Sequence, residues 1–266
     1  MKIHFIAGLT RSGSTLLAGI LRQNPAFNAG PTSPALRIFQ SVEHGTSQDN
    51  NFACSISLEQ KLALRRAVFT SMYPDDGRVV FDKHHFWTGK MPILTTLFPQ
   101  AIVICLVRDV PWIMDSWERV YQSSPTEMSA FFSFKADTTV YMRCAKLSGP
   151  EGAVGRPLDG LKEAYYGAHC DRLHLIEYTQ LATRPEATMR TLYAAIGEPF
   201  FQHDFDHVEM SFDQFDQQVG MPGLHLVGRK VRFTPRRTIL PPDLFYRYRD
   251  NDFWTNRRVD VDQEVA

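Results

Sequence analysis

The chain has 266 residues, of which 44% are hydrophobic, 12% aromatic and 22% charged, enough to bury a sizeable core and ordinary for a globular domain. Lys plus Arg (29) equals Asp plus Glu (29), so no overall basic field draws it to nucleic acid or an anionic membrane, and any anion site must be built locally. No apolar run approaches the ~20 residues that span a bilayer, and Arg11 interrupts the first one too early for a signal peptide. Cys54, Cys105, Cys144 and Cys170 are dispersed, without zinc-ligand or disulfide spacing, so reduced thiols in a cytoplasmic protein are expected.

In chain order, the first element is the apolar run "IHFIA" (3 to 7), read as a strand buried on both faces. It leads through "GLTRSGSTL" into "STLLAGILRQ", whose Leu16, Leu17, Ile20 and Leu21 form a helical stripe. The segment "AGPTSPALRIF" that follows is expected to line an acceptor pocket, together with "HHFW" and the aromatic patch "SAFFSF". Further strands are expected at "VVF" (79 to 81), "AIVICLV" (101 to 107) and "LHLIEY" (173 to 178). After the third strand, Asp109 can cap a helix that has Pro111 in its first turn. After the fourth, "RPEATMRTLYAAIGEPF" carries Pro185 at the start of a helix and Gly197 at its stop. Residues 122 to 160 and 202 to 240 are less regular, the second ending in the basic "GRKVRFTPRR". Strand then helix, repeated, predicts a single α/β domain over 1 to 266. Its three layers would be a mainly parallel central sheet flanked by helices, with ligands at the carboxyl ends of the strands.

The loop between the first strand and its helix has the frame of a phosphate-binding P-loop, but Ser14 stands where such a loop carries its lysine. A strand turning through glycines into a helix aims backbone N–H groups and the positive end of the helix dipole at one point. Gly8 and Gly13 permit the turn, Ser12, Ser14 and Thr15 add hydroxyls, and Arg11 adds a forked cation suited to phosphate or sulfate oxygens. The missing lysine speaks against a Mg·NTP site. Asp82 and Asp109 end strands where a metal-supporting carboxylate would sit, but "KHH" and "VPW" after them do not mark such a site. A sulfuryl group, less charged than phosphoryl, needs less cation support.

At this point the chain resembles the sulfotransferases that use 3'-phosphoadenosine 5'-phosphosulfate (PAPS), particularly their bacterial members. "TRSGSTLL" is similar to the family's 5'-phosphosulfate loop, with Arg11 in the place of a lysine of the animal enzymes. That implies donor contacts from Arg11, Ser12, Gly13, Ser14, Thr15 and Leu16. "CLVRDVPWIMDSWE" resembles the 3'-phosphate motif, an Arg ending a strand and a Ser eight residues on, here Arg108 and Ser116. By itself, an Arg at 108 is equally placed to pair with Asp109 or Asp115. "LIEYTQLATRPEATMRTLYAAIGEPF" resembles the stretch whose Tyr lies near adenine, implying that role for Tyr178, although Thr179 and Gln180 replace the usual acidic pair. "HLVGRKVRF" resembles the late basic loop over the 3'-phosphate, implying Gly228, Arg229 and Lys230, with Arg232 as competitor. In "RVVFDKHHF", Lys83 and His85 match a Lys that supports the phosphosulfate and a His that takes the acceptor proton. His84, Glu43 and Asp82 are the alternatives for the base. The resemblance implies PAPS as sulfuryl donor, 3',5'-bisphosphoadenosine (PAP) as product, no metal, and an acceptor that is a small molecule or a peptide-like group. A nucleotide kinase and a non-catalytic nucleotide-binding module are the competing readings.

Overall fold

The structure is a computed structural model that describes residues 1–47, 53–123, 138–208, 213–218, 224–225 and 227–255. Its centre is a five-stranded, wholly parallel sheet in the order β2-β3-β1-β4-β5. The strands are β1 (Ile3–Gly8), β2 (Phe27–Thr32), β3 (Val79–Lys83), β4 (Val103–Val107) and β5 (Leu173–Glu177). β1, β3 and β4 are buried along their whole length, as continuous apolar runs require when helices cover both faces. The four expected strands are present with ends shifted by one or two residues, the usual latitude of such boundaries.

β2 is the difference. "FNAGPT" lacks an apolar run and contains Gly30 and Pro31, yet it pairs with β3 from Phe27↔Val79 to Thr32↔Lys83, with a register shift between Ala29 and Thr32. Its place at the sheet edge explains the composition. An edge strand needs one set of ladder bonds only and tolerates Pro and a bulge.

Helices fill the connections: α1 (Ser14–Leu21), α2 (Ala35–Gly45), α3 (Leu58–Met72), α4 (Met91–Leu97), α5 (Val110–Ser123), α6 (Val140–Ser148), α7 (Gly155–Tyr166), α8 (Tyr178–Thr183), α9 (Pro185–Ile196), α10 (Asp213–Gln218) and α11 (Pro242–Arg247). Alternate strand residues feed opposite faces. Ile6, Phe81, Ile104, Leu106 and Ile176 pack with Leu17, Ile20 and Leu21 of α1 and with Met189, Leu192 and Ile196 of α9. Phe5, Val80 and Val103 face the other way, onto Phe39 of α2, Phe69 of α3 and Leu94 of α4. Cys105 and Val107 continue that second face onto Ile113, Met114 and Trp117 of α5. Pro185 begins α9, and Gly197 ends it in the left-handed conformation at φ 67°.

Because all strands are parallel, the residues that follow β1, β3, β4 and β5 emerge along one edge of the sheet. Chain order runs outward from β1 to β2 and β3, then crosses back to β4 and β5. The switch therefore falls between β1 and β4, where a crevice outside the carboxyl ends receives ligands.

Candidate functional site

The loop after β1 is anchored from below. Leu9 N–H donates to the Leu106 carbonyl at 2.9 Å. The Ser12 hydroxyl donates to the carbonyls of Leu9 (2.5 Å) and Leu106 (3.0 Å), and the residue is fully buried. That hydroxyl is thus committed to holding the loop, which corrects its expected part as an anion donor; only the backbone N–H of Ser12 remains for a ligand. Gly8 has φ 109°, and a Cβ there would lie 2.2 Å from the Leu106 oxygen, so only glycine allows β1 and β4 to approach so closely. Arg11 itself adopts φ 59°, a left-handed conformation that a non-glycine residue holds at a cost. Gly13, at φ 94°, precedes α1 without any side-chain cap. Among the described residues, no backbone N–H from Arg11 to Leu16 donates to a protein acceptor. A curl of undirected donors at a helix N-terminus is an anion cradle.

Cations surround this cradle. Lys83, the last residue of β3, is buried, and its Nζ donates to Thr15 Oγ1 at 3.1 Å and Thr32 Oγ1 at 3.3 Å. Burial, then the charge of Arg11, lowers its pKa from 10.5 to about 8. Arg11 Nε donates to Ser116 Oγ at 3.0 Å, and its Nη1 donates to the Leu224 carbonyl. Burial, followed by repulsion from Arg108, lowers its pKa to about 10, so it stays cationic at neutral pH. Arg108 follows β4, donates to the Arg11 carbonyl at 3.2 Å, and stacks its guanidinium 4.3 Å from the centre of the Tyr178 ring. The same ring packs on Gly13, where a Cβ would come within 2.9 Å of it. Among the described residues, none of these three cations has a carboxylate at salt-bridge distance. Asp216 bears on Arg11 and Lys83, and Asp115 on Arg108, but from beyond contact, so the clustered cations still favour an anionic ligand.

Residues 4–202 match the family model described as "Sulfotransferase family". The chain belongs to the sulfotransferase family. It is 25% identical over 219 residues to nodulation protein NoeE of Sinorhizobium fredii, a match covering 73% of the chain and 50% of that protein. It thus spans about half the length of this curated relative. Among solved structures, the fold is similar to the sulfotransferase of Alicyclobacillus acidocaldarius (TM-score 0.52, 17% identity, 82% of this chain and 90% of that one). It is also similar to the sulfotransferase domain of the Synechococcus PCC 7002 olefin synthase (TM-score 0.51, 18% identity, 98% and 90%).

The residues picked out in the sequence are distributed unevenly about the cradle. Ser116, expected to share a phosphate with Arg108, is instead bonded to Arg11. Asp82 is not available as base or metal support. Strand alternation turns it to the face opposite Lys83, where it is fully buried and accepts from Ser33 (2.5 Å), Tyr73 (2.6 Å) and Trp87 (2.7 Å). Glu43 is held by Lys90 at 2.6 Å. Gly228, Arg229 and Lys230 are exposed, and Lys230 pairs with Asp206 at 2.7 Å. The late basic residue whose charge bears on both Arg11 and Arg108 is Arg236, drawn in by an ion pair of 2.6 Å with Asp115 on α5. Its only sequence signal was the run "TPRR". Asp109 is exposed and starts α5 through its carbonyl, which accepts from Trp112 and Ile113.

The two expected histidines also differ from each other. His85 Nδ1 lies 3.0 Å from the Gly8 carbonyl, which makes it the protonated nitrogen, and burial followed by the charge of Lys83 lowers the pKa to about 3. His84 accepts from Phe86 N–H at 3.3 Å, and burial brings it to about 4. Beyond them, Phe86, Thr88, Lys90, Arg156 and Gln40 line a cleft of about 290 Å³, to which "HHFW" contributes Phe86. The patch "SAFFSF" lies outside the described residues. A third histidine, His225, is the first residue of the segment "HLVGRKVRF", which was read for its basic residues and not for its histidine. Its ring lies 2.6 Å from Asp216 of α10, the charges of Lys83 and Arg11 bear on it, and its own bears on His85. Among the described residues there is no group of three or more His, Cys, Asp or Glu that could hold a metal ion, and no helix is long and apolar enough to cross a membrane.

Proposed function

We propose that the chain moves a sulfuryl group from PAPS to a hydroxyl or amine of an acceptor. The observation that carries this reading is the cradle from Arg11 to Leu16, whose N–H donors have no acceptor, and whose cations Arg11 and Lys83 have no carboxylate, in contact among the described residues. The donor supplies an S–O bond whose leaving group is a phosphate. The N–H groups of Ser12 to Leu16 would hold the 5'-phosphate through the helix terminus. Arg11 would face the sulfuryl oxygens, and Lys83, ordered by Thr15 and Thr32, would meet charge as it gathers on the leaving oxygen. Arg108, together with Arg236, suits the 3'-phosphate, and the Tyr178 ring at the loop mouth suits adenine. His85, tied to the Gly8 carbonyl, fixes the turn beneath the cradle.

A kinase would need its lysine on the loop and a carboxylate beside the Thr15 hydroxyl for Mg²⁺. Here the lysine arrives from β3, Thr15 accepts from it, and Asp82 points away. Calorimetry with PAP against ADP, with and without Mg²⁺, tests the proposal. Tighter, metal-independent binding of PAP is expected, and a preference for Mg·ADP would refute it.

A further inference from the structure

His225 is held in a way that no other histidine of the site is. One oxygen of Asp216 receives its ring Nδ1–H at 2.6 Å, and the other receives its backbone N–H at 2.8 Å. Asp216 is buried, with 1% of its surface exposed, so this two-point grip is shielded from water. The preceding residue, Leu224, accepts a hydrogen bond from Arg11, which brings the pair to the cradle. We infer that His225 is the general base that takes the acceptor's proton, with Asp216 as its positioning residue; the inference rests on the sulfuryl-transfer reading above.

The chemistry favours it over His85. An ionised carboxylate on Nδ1–H fixes the tautomer with the lone pair on Nε2 and stabilises the imidazolium that forms there, as in Ser-His-Asp triads. His85 has a neutral carbonyl on Nδ1 and the cation Lys83 nearby, so an imidazolium there is opposed. In the step, the acceptor oxygen forms a bond to sulfur while the bond from sulfur to the bridging oxygen breaks, and that electron pair stays on the departing 5'-phosphate. The acceptor proton passes to Nε2 of His225 and from there to solvent. The charges facing His225 are Asp216 from α10, Lys83 from the end of β3, Arg11 from the loop, and His85. Burial lowers its pKa, Lys83 and Arg11 act the same way, and Asp216 opposes them.

The test uses the full chain with His225→Ala, Asp216→Asn, Asp216→Glu and His85→Ala variants. Single-turnover release of sulfate from PAPS to water, and transfer to benzyl alcohol, whose hydroxyl is un-ionised at neutral pH, are measured alongside PAP affinity by calorimetry and the His225 ring by ¹⁵N NMR. His225→Ala is expected to slow both transfers by about 10²- to 10³-fold, with PAP affinity within threefold of wild type. Asp216→Asn should lose the Nδ1-protonated signature and move the acid limb of the rate profile to lower pH, and Asp216→Glu should restore part of both. His225→Ala at the wild-type rate, or a fall in PAP affinity as large as the fall in rate, overturns the assignment. So does a wild-type protein that binds PAP but transfers to neither acceptor. If the wild type fails to bind PAP, the donor reading itself has failed, which is a separate result.

Discussion

Lys83 shows how one side chain links burial to ligand binding. Its ammonium sits among hydroxyls beside Arg11, and its folded pKa of about 8 lies below the 10.5 of an exposed lysine. A lowered lysine pKa means that the unfolded chain binds more protons between about pH 8 and 10.5. Its contribution to stability therefore rises with pH across that window, and the charged form opposes folding below it. An anion in the cradle reverses the balance by favouring the ammonium. Binding of PAP at pH 8.5 is accordingly expected to take up protons, read as a dependence of the calorimetric enthalpy on buffer ionisation, and Lys83→Met should abolish most of that uptake. Arg108→Ala should weaken PAP far more than adenosine 5'-phosphate, because a guanidinium lost from one phosphate costs only the ligand that has it. Equal weakening, measured by competition, would detach Arg108 from the 3' position. Lys83, Arg11 and Arg108 were legible because each ends a strand or follows one closely in the chain. The Ser12 hydroxyl was misread, since sequence lists a donor without saying which carbonyl lies beneath it.

At the scale of elements, β1 with its loop and α1 is the unit on which the site is built. Gly8 brings β1 against β4, and the left-handed turns at Arg11 and Gly13 aim the loop upward. Gly8→Ala places a methyl group 2.2 Å from a backbone oxygen and requires an unfavourable φ. Urea denaturation is expected to show a loss of at least about 2 kcal/mol, together with a weakened anion site. Strands β1, β3 and β4 were readable from continuous apolar runs, the mark of burial on two faces, and β5, at the other edge, from Leu173, Leu175 and Ile176, although only Ile176 is fully buried. β2 was not readable, because at the edge only Phe27 and Ala29 among its described side chains are buried.

Across the whole molecule, the late segment is fastened to the earlier fold by Asp115. This fully buried carboxylate accepts from Arg119 (3.0 Å), Arg236 (2.6 Å), Thr238 (3.1 Å) and Ile239 N–H (2.8 Å). Asp115→Asn keeps the shape and removes the charge. Both arginines are partly exposed and can regain water, so the expected loss is about 1–3 kcal/mol. The variant should also bind PAP less tightly, because Arg236 is no longer held near Arg108; calorimetry and thermal denaturation measure the two effects. By itself the sequence determined the parallel α/β frame and the glycine-bearing loop after β1 with its nearby cations, because apolar runs, glycines and strand-end cations are local patterns that chain order preserves. Only the tertiary structure decided that Asp82 faces the core, that Arg236 and not Lys230 joins the cations, and that Asp216 and His225 meet beside Lys83. Those outcomes depend on which side chains from distant segments share one buried space, where a charge keeps its partner and excludes water, and no linear spacing encodes that.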